Sequence, residues 1–177
     1  QAATHLEAVA LVRPLQRVRV WSRDPGHVVR FVEAARARHP FEIEAAPTAR
    51  EAVSDADVVC TVTSSREPVL QGAWLRPGTH VNAVGASLRS ARELDAAAVA
   101  AARVFVDRRE SAAHEAGDLL IARAEGAIGD DHVQGELGEV LIGRADGRRS
   151  PAEITVFKSL GLAVEDVASA HHIHARA

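Results

Sequence analysis

The residues best placed to do chemistry in this sequence stand at the ends of two apolar runs. Thr79-His80-Val81-Asn82-Ala83-Val84-Gly85-Ala86-Ser87 begins as a β-branched, strand-like run and ends where the side chains shrink. Small residues leave the backbone bare at such an end, so a flat ring can lie against it. In an open α/β sheet, ligands bind at the carboxyl ends of the strands. A cofactor ring, a nicotinamide, is therefore expected over Gly85-Ala86-Ser87; the alternative is a buried strand followed by an ordinary turn. Thr61-Val62-Thr63-Ser64-Ser65 closes a second apolar run in small hydroxyl residues. That end either lines a cofactor cleft or caps its own turn through local hydrogen bonds.

A third position reads the other end of a dinucleotide. Val18-Arg19-Val20-Trp21 is a short strand followed by the turn cluster Ser22-Arg23-Asp24-Pro25-Gly26. In a dinucleotide-binding unit the second strand ends at the adenosine ribose, where an acidic side chain selects NAD. Here Ser22 supplies a hydroxyl and Arg23 a planar fork of donors, which suits a 2′-phosphate. NADP(H) is the expected preference, with NAD(H) possible; the alternative is an exposed turn arginine. Gln1 and Ala2 open a helix whose N-terminus would face a pyrophosphate in such a fold. Read alone, they open a plain surface helix.

Other chemistry is weakly represented. His171 and His174 lie one helical turn apart, with His172 between them, but no carboxylate or cysteine is spaced to complete a metal site. No metal is expected. Nucleophile-elbow, metalloprotease and phosphate-loop motifs are not present. With 21 basic and 24 acidic residues the net charge is −3, which makes no electrostatic case for nucleic acid. The single cysteine, Cys60, excludes a disulfide framework and fits a reducing cytoplasm. No 18-residue apolar stretch or signal-peptide pattern occurs, so a cytoplasmic protein without membrane partners is expected.

The elements that must position these residues alternate. Residues 2–12 read as a helix. Pro25 follows a cap, Asp24 or Ser22, and Val28, Phe31, Val32 and Ala35 form the apolar face of the next helix. Phe41–Ala45 alternates as an edge strand. Thr48 caps a short helix over 48–54, and Asp57–Thr63 is a buried strand. Residues 64–78 read as a hairpin-like link without a clear helix. After the strand 79–84, residues 90–102 are predicted helical and Arg103–Asp107 forms another strand. Farther on, 136–142 reads as a helix ending at Gly143. Ser150-Pro151-Ala152-Glu153 makes one turn before the strand-like Ile154–Phe157, and a helix with Leu160, Val164, Val167 and Ala168 on one face closes the chain. Alternation of this kind predicts an α/β fold, a doubly wound parallel sheet with helical crossovers.

Taken in order, these segments resemble the ornithine cyclodeaminase/mu-crystallin family. The matching pieces are Gln1-Ala2 with His5-Leu6-Glu7-Ala8, Val20-Trp21-Ser22-Arg23, Ala56-Asp57-Val58-Val59 and Arg66-Glu67-Pro68-Val69-Leu70. They continue with Trp74 through Ser87, Arg92-Glu93-Leu94-Asp95 and Ala116-Gly117-Asp118. Glu136-Leu137-Gly138-Glu139-Val140 and Thr155 through Asp166 complete the set.

The resemblance implies a Rossmann-type domain, and a second domain that binds substrate and forms a homodimer. Members hold NAD(H) or NADP(H) and act on amino acids or their cyclic imines. Gln1 is not a methionine, and the family places a strand, a Gly-x-Gly turn and the substrate arginines before it. The chain is therefore expected to be the second part of a longer protein. Its sheet would lack the first strand, leaving two neighbours unpaired and the isolated chain poorly stable. Residues 1–150 are expected to form the cofactor domain, and 151–177 a segment returning to the substrate domain.

One departure is diagnostic. In the family's cyclodeaminases an aspartate acid/base follows the Ala-Val-Gly strand end, where this sequence has Ser87. A serine hydroxyl does not act as a carboxylate near neutral pH without an adjacent base. Ser87 and Lys158 resemble the branch that reduces cyclic ketimines, and Ser22-Arg23 agrees with that branch's use of NADPH. The resemblance implies an NAD(P)H-dependent reductase of a small imino acid, with Ser22 and Arg23 at the ribose phosphate. Thr61, Val62 and Thr63 would line the cleft, Val84, Gly85 and Ser87 would meet the nicotinamide, and Leu160 would close over the ring. Ser87 is the candidate at the reacting centre, orienting substrate or cofactor. The rivals are an ornithine cyclodeaminase and a cofactor-binding protein without turnover.

Overall fold

The computed structural model describes residues 1–176. The chain alternates through α1 (Ala2–Val12), β1 (Arg17–Val20), α2 (Pro25–Arg36), β2 (Glu42–Ala45), α3 (Ala49–Val53), β3 (Val58–Thr61) and a 3-10 turn (Gly72–Trp74). It continues with β4 (His80–Ala83), α4 (Ala96–Ala100), β5 (Ala102–Val106), α5 (Arg109–Glu115), α6 (Gly117–Ala124), β6 (Val133–Glu136), α7 (Leu137–Leu141), β7 (Ile154–Lys158) and α8 (Ala163–His174).

Local chemistry starts several of these elements. Asp24 accepts from the Gly26 N–H at 2.8 Å with Pro25 next to it, and Thr48 accepts from the Glu51 N–H at 3.1 Å.

Every strand pairing is parallel. The strands fall into a two-stranded sheet, β1-β2, and a five-stranded sheet in the order β3-β4-β7-β5-β6. Among the described residues β1 pairs only with β2. Arg19 of β1 donates to the carbonyls of Glu51 and Ser54, tying the smaller sheet to α3. Two cores match the two sheets. Leu6, Val28, Val32, Ala35 and Ile43 fill one. Val81, Val104, Val106 and Val156 pack with α4 and α6 in the other, each at most 1% exposed. Burying one such side chain contributes about 1.5–3 kcal/mol.

Several expectations need correction. The link between residues 63 and 79 is no hairpin: β3 and β4 are parallel, with Val58 opposite His80, so the link crosses over through the 3-10 turn. The helix expected over 90–102 shrinks to Ala96–Ala100. Leu94 instead bridges to Leu70, and Asp95 caps the shortened helix through the Ala98 N–H. The boundary expected at residue 150 does not follow the sheet. β7 lies in the middle of it, paired with β4 and β5, so residues 154–158 belong with the strands. The chain returns to fill a slot that parallel neighbours on both sides satisfy. β6 is a strand that the sequence pattern missed. On α8, Val164, Val167 and Ile173 are each about two-thirds exposed, so its apolar face meets no core among the described residues. Among the described residues no helix is long and apolar enough to cross a membrane.

Candidate active site at the carboxyl edge of the sheet

Parallel pairing brings the ends of β3, β4, β7 and β5 to one edge. Thr61, Val62 and Thr63 leave β3 there, and Val84, Gly85, Ala86 and Ser87 leave β4 beside them. The Val84 and Gly85 N–H groups both donate to the Thr61 carbonyl, at 2.9 and 3.2 Å. A Cβ on Gly85 would overlap the Thr63 backbone and the Glu93 carboxylate. Glycine is required here by close approach of two chains, since Gly85 is not among the positive-φ residues. Val84 and Gly85 are half-buried, Ala86 is buried and Ser87 is exposed at the rim. Thr61 is 7% exposed, and its hydroxyl has no hydrogen-bond partner among the described residues. Thr63 Oγ1 accepts from the Ser65 N–H at 3.1 Å, the local cap that competes with a cleft role.

The segment after β7 reaches the same edge. Asp107, just past β5, accepts from the Leu160 and Gly161 N–H groups, each at 2.6 Å. Leu160 is thereby held half-buried against the main core. Beyond it, Asp107, Arg108, Glu136, Leu162, Ala163 and Val164 line an open hollow.

The remaining expected residues lie on the smaller sheet's side. Ser22 and Arg23 follow the end of β1; Ser22 is half-buried and accepts from the Asp24 N–H, and Arg23 is exposed. Gln1 is the exposed residue preceding α1 and makes no side-chain cap, and Ala2 opens that helix half-buried. The three C-terminal histidines occupy the exposed last turns of α8.

Sequence reasoning assigned no role to the buried charges beneath this edge. Lys158, Asp118 and Glu93 are at most 1% exposed. Lys158 Nζ lies 3.1 Å from Asp118 Oδ2 and donates to the Ala86 carbonyl at 2.5 Å. Asp118 Oδ1 accepts from the N–H groups of Glu93 and Leu94 at 2.7 and 2.9 Å. Glu93 in turn accepts from Thr63 and Gly85. The usable signal was Lys158 itself, the only lysine in the chain, set inside a strand-like run.

Parallel strands, helical crossovers and small-residue strand ends gathered at one edge define the Rossmann-type class of α/β protein. The donor set suits a dinucleotide: bare backbone stands at the strand ends, and a hydroxyl and a guanidinium, Ser22 and Arg23, follow the end of β1. The family model described as the ornithine cyclodeaminase/mu-crystallin family matches residues 1–177, and the chain belongs to that family. Mouse ketimine reductase mu-crystallin is 37% identical over 174 residues, covering 98% of this chain and 51% of that protein. The structure of Thermococcus litoralis Δ(1)-pyrroline-2-carboxylate reductase in complex with NADH and L-proline superposes with a TM-score of 0.94. It is 40% identical, covering 97% of this chain and 53% of its own. An archaeal alanine dehydrogenase dimer with bound NAD matches with a TM-score of 0.90 at 38% identity, covering 96% and 52%. The chain thus spans about half the length of the relatives it matches.

Proposed function

We propose that this chain is the cofactor-holding part of an NAD(P)H-dependent reductase acting on a small cyclic imino acid. The observation that carries the reading is the contact between Gly85 and Thr63. It leaves a flat, side-chain-free platform at the carboxyl edge, and a Cβ would destroy it. The relatives that bind NADH with proline, or are named ketimine reductases, support the substrate class.

On this reading Val84 and Gly85 present backbone to the nicotinamide, with Ser87 at the rim where substrate would meet it. Thr61, Val62 and Thr63 form the facing wall, and Leu160, held by Asp107, covers the ring. Ser22 and Arg23 bind the 2′-phosphate of NADP(H), the preferred cofactor; without that phosphate Arg23 has less to hold. Gln1 and Ala2 place the N-terminus of α1 towards the pyrophosphate. A reduced nicotinamide held there would supply a hydride to the C=N carbon, with the proton for the imine nitrogen drawn from water at the open rim. Ser87 orients the reacting partners through its hydroxyl. It replaces the carboxylate a cyclodeaminase would use, which ranks ammonia release from ornithine second. The exposed apolar side chains of α8 fit a return to a second, substrate-binding domain and a homodimer; the archaeal alanine dehydrogenase it matches is a dimer. The lone Cys60 fits a reducing cytoplasm.

The test is consumption of NADPH, and separately of NADH, by the full-length protein with Δ(1)-pyrroline-2-carboxylate. Faster turnover with NADPH is the expected result. Proline and ammonia formed from ornithine would make it a cyclodeaminase, and tight NADPH binding without turnover would make it a binding protein.

A further inference from the structure

The platform is assembled from the ends of β3 and β4, whose backbone pairing runs as far as the Val84 and Gly85 N–H groups on the Thr61 carbonyl. Beyond that pairing one side chain joins Thr63 to Gly85. Glu93 Oε1 accepts the Thr63 N–H at 2.5 Å, and Oε2 accepts the Gly85 N–H at 2.8 Å. The residue is completely buried. Each oxygen thus holds one of the two strand ends, and the carboxylate occupies the space a Cβ on Gly85 would need.

Glu93 is itself fixed from behind. Its N–H donates to Asp118, and its carbonyl accepts from Val69 and Leu70 at 2.8 and 2.9 Å. Asp118 is paired with Lys158, and Lys158 donates to the carbonyl of Ala86, the residue after Gly85. The circuit closes on the platform: Gly85 is held through Glu93 and Ala86 through Lys158. Gly117 lets Asp118 come close, since a Cβ there would overlap the Leu88 and Ala91 carbonyls on the same loop. An ordinary core would fill this space with apolar side chains, because a buried carboxylate costs desolvation energy unless its oxygens are bonded. Here both oxygens are bonded, and both partners are backbone groups of the expected nicotinamide cleft.

We propose that Glu93 is a positioning residue for the cofactor: it sets the spacing between Thr63 and Gly85 and so the width and flatness of the platform. This inference rests on the dinucleotide reading of the site. Substituting Glu93→Gln keeps the shape but turns one acceptor into a donor, which faces an N–H and pushes that strand end away. Glu93→Asp is one methylene too short to reach both.

The test measures NADPH and NADH dissociation constants by cofactor fluorescence in the full-length protein and in Glu93→Gln and Glu93→Asp. The Michaelis constants for cofactor and imine and the unfolding midpoint are read alongside. About tenfold weaker dinucleotide binding is expected from the folded variants, with the cofactor constant rising more than that for the imine. A purely structural role would lower the unfolding midpoint and leave both constants unchanged in the folded fraction, which would overturn the proposal. Should both variants fail to fold, amide exchange in the wild-type protein decides. The Thr63 N–H, which Glu93 alone accepts among the described residues, should exchange far more slowly than that of exposed Ser87, and equal exchange would overturn the proposal. If the wild-type protein binds neither dinucleotide, the functional reading fails, and amide exchange then shows whether Glu93 still clamps the strand ends.

Discussion

Lys158 and Asp118 form an ion pair, Nζ to Oδ2 3.1 Å, with side chains 0% and 1% exposed. Such a pair adds little stability over a well-packed apolar pair, but removing one partner strands the other charge. Replacing Lys158 by Met should therefore cost about 3–5 kcal/mol, measured by denaturant unfolding. A loss below about 1 kcal/mol would mean that Asp118 is already satisfied by the Glu93 and Leu94 N–H groups.

Gly85 and Gly138 offer a matched pair of alanine substitutions. At Gly85 the new methyl meets the Thr63 backbone, and overpacking of this kind costs about 1–3 kcal/mol. Dinucleotide binding should fall with it. At Gly138, in α7, nothing lies within 4 Å of a Cβ, and alanine should stabilise by about 0.4–1 kcal/mol. Thermal unfolding and cofactor titration of the two variants should separate cleanly; equal effects would remove the close-approach argument.

Arg23 is exposed after β1, with Ser22 beside it. A guanidinium that binds a 2′-phosphate matters only for the phosphorylated dinucleotide. Arg23→Ala should weaken NADPH binding by roughly tenfold or more, the worth of a charge-assisted bond, and leave NADH binding within about twofold. Equal losses for both cofactors would contradict the 2′-phosphate role.

His80 makes folding sensitive to mild acid. Burial pushes its imidazole below the ordinary value of 6.5; Arg148 and Arg13 act in the same direction, and the Asn82 hydrogen bond opposes them. The unfolded chain therefore binds the proton more readily than the folded one. Stability is fully kept above pH 6.5 and falls as the pH drops from there towards the lowered folded value. His80→Gln removes the titration. Its unfolding midpoint should fall less than that of the unsubstituted protein between pH 7.5 and 5.5, and parallel slopes would exclude His80 as the cause.

Much of the architecture could be read from neighbouring residues. Asp24-Pro25 and Thr48 announce helix starts because a cap bonds N–H groups two or three positions away. The Thr79–Ser87 run reads correctly as a strand that ends in small residues, because side-chain size and alternation act locally. Where reading failed, a distant group had won. Residues 91–95 look helical in isolation, yet Leu94 pairs with Leu70 and the Glu93 and Leu94 N–H groups go to Asp118. Val-Gln-Gly-Glu at 133–136 carries too little apolar character to announce β6, which forms because β5 offers it an edge.

The sequence by itself determined the family, the parallel α/β plan and the strand ends built of small residues. Those follow from residue types in order, and Gly85 could be singled out from its own neighbours. Only the tertiary structure decided that β7 returns between β4 and β5, and that Glu93, Asp118 and Lys158 are buried together under the platform. Glu93 in Arg-Glu-Leu-Asp carries the pattern of a solvated charge. Its burial depends on two N–H groups, Thr63 thirty positions away and Gly85 eight, that converge once the strands have paired.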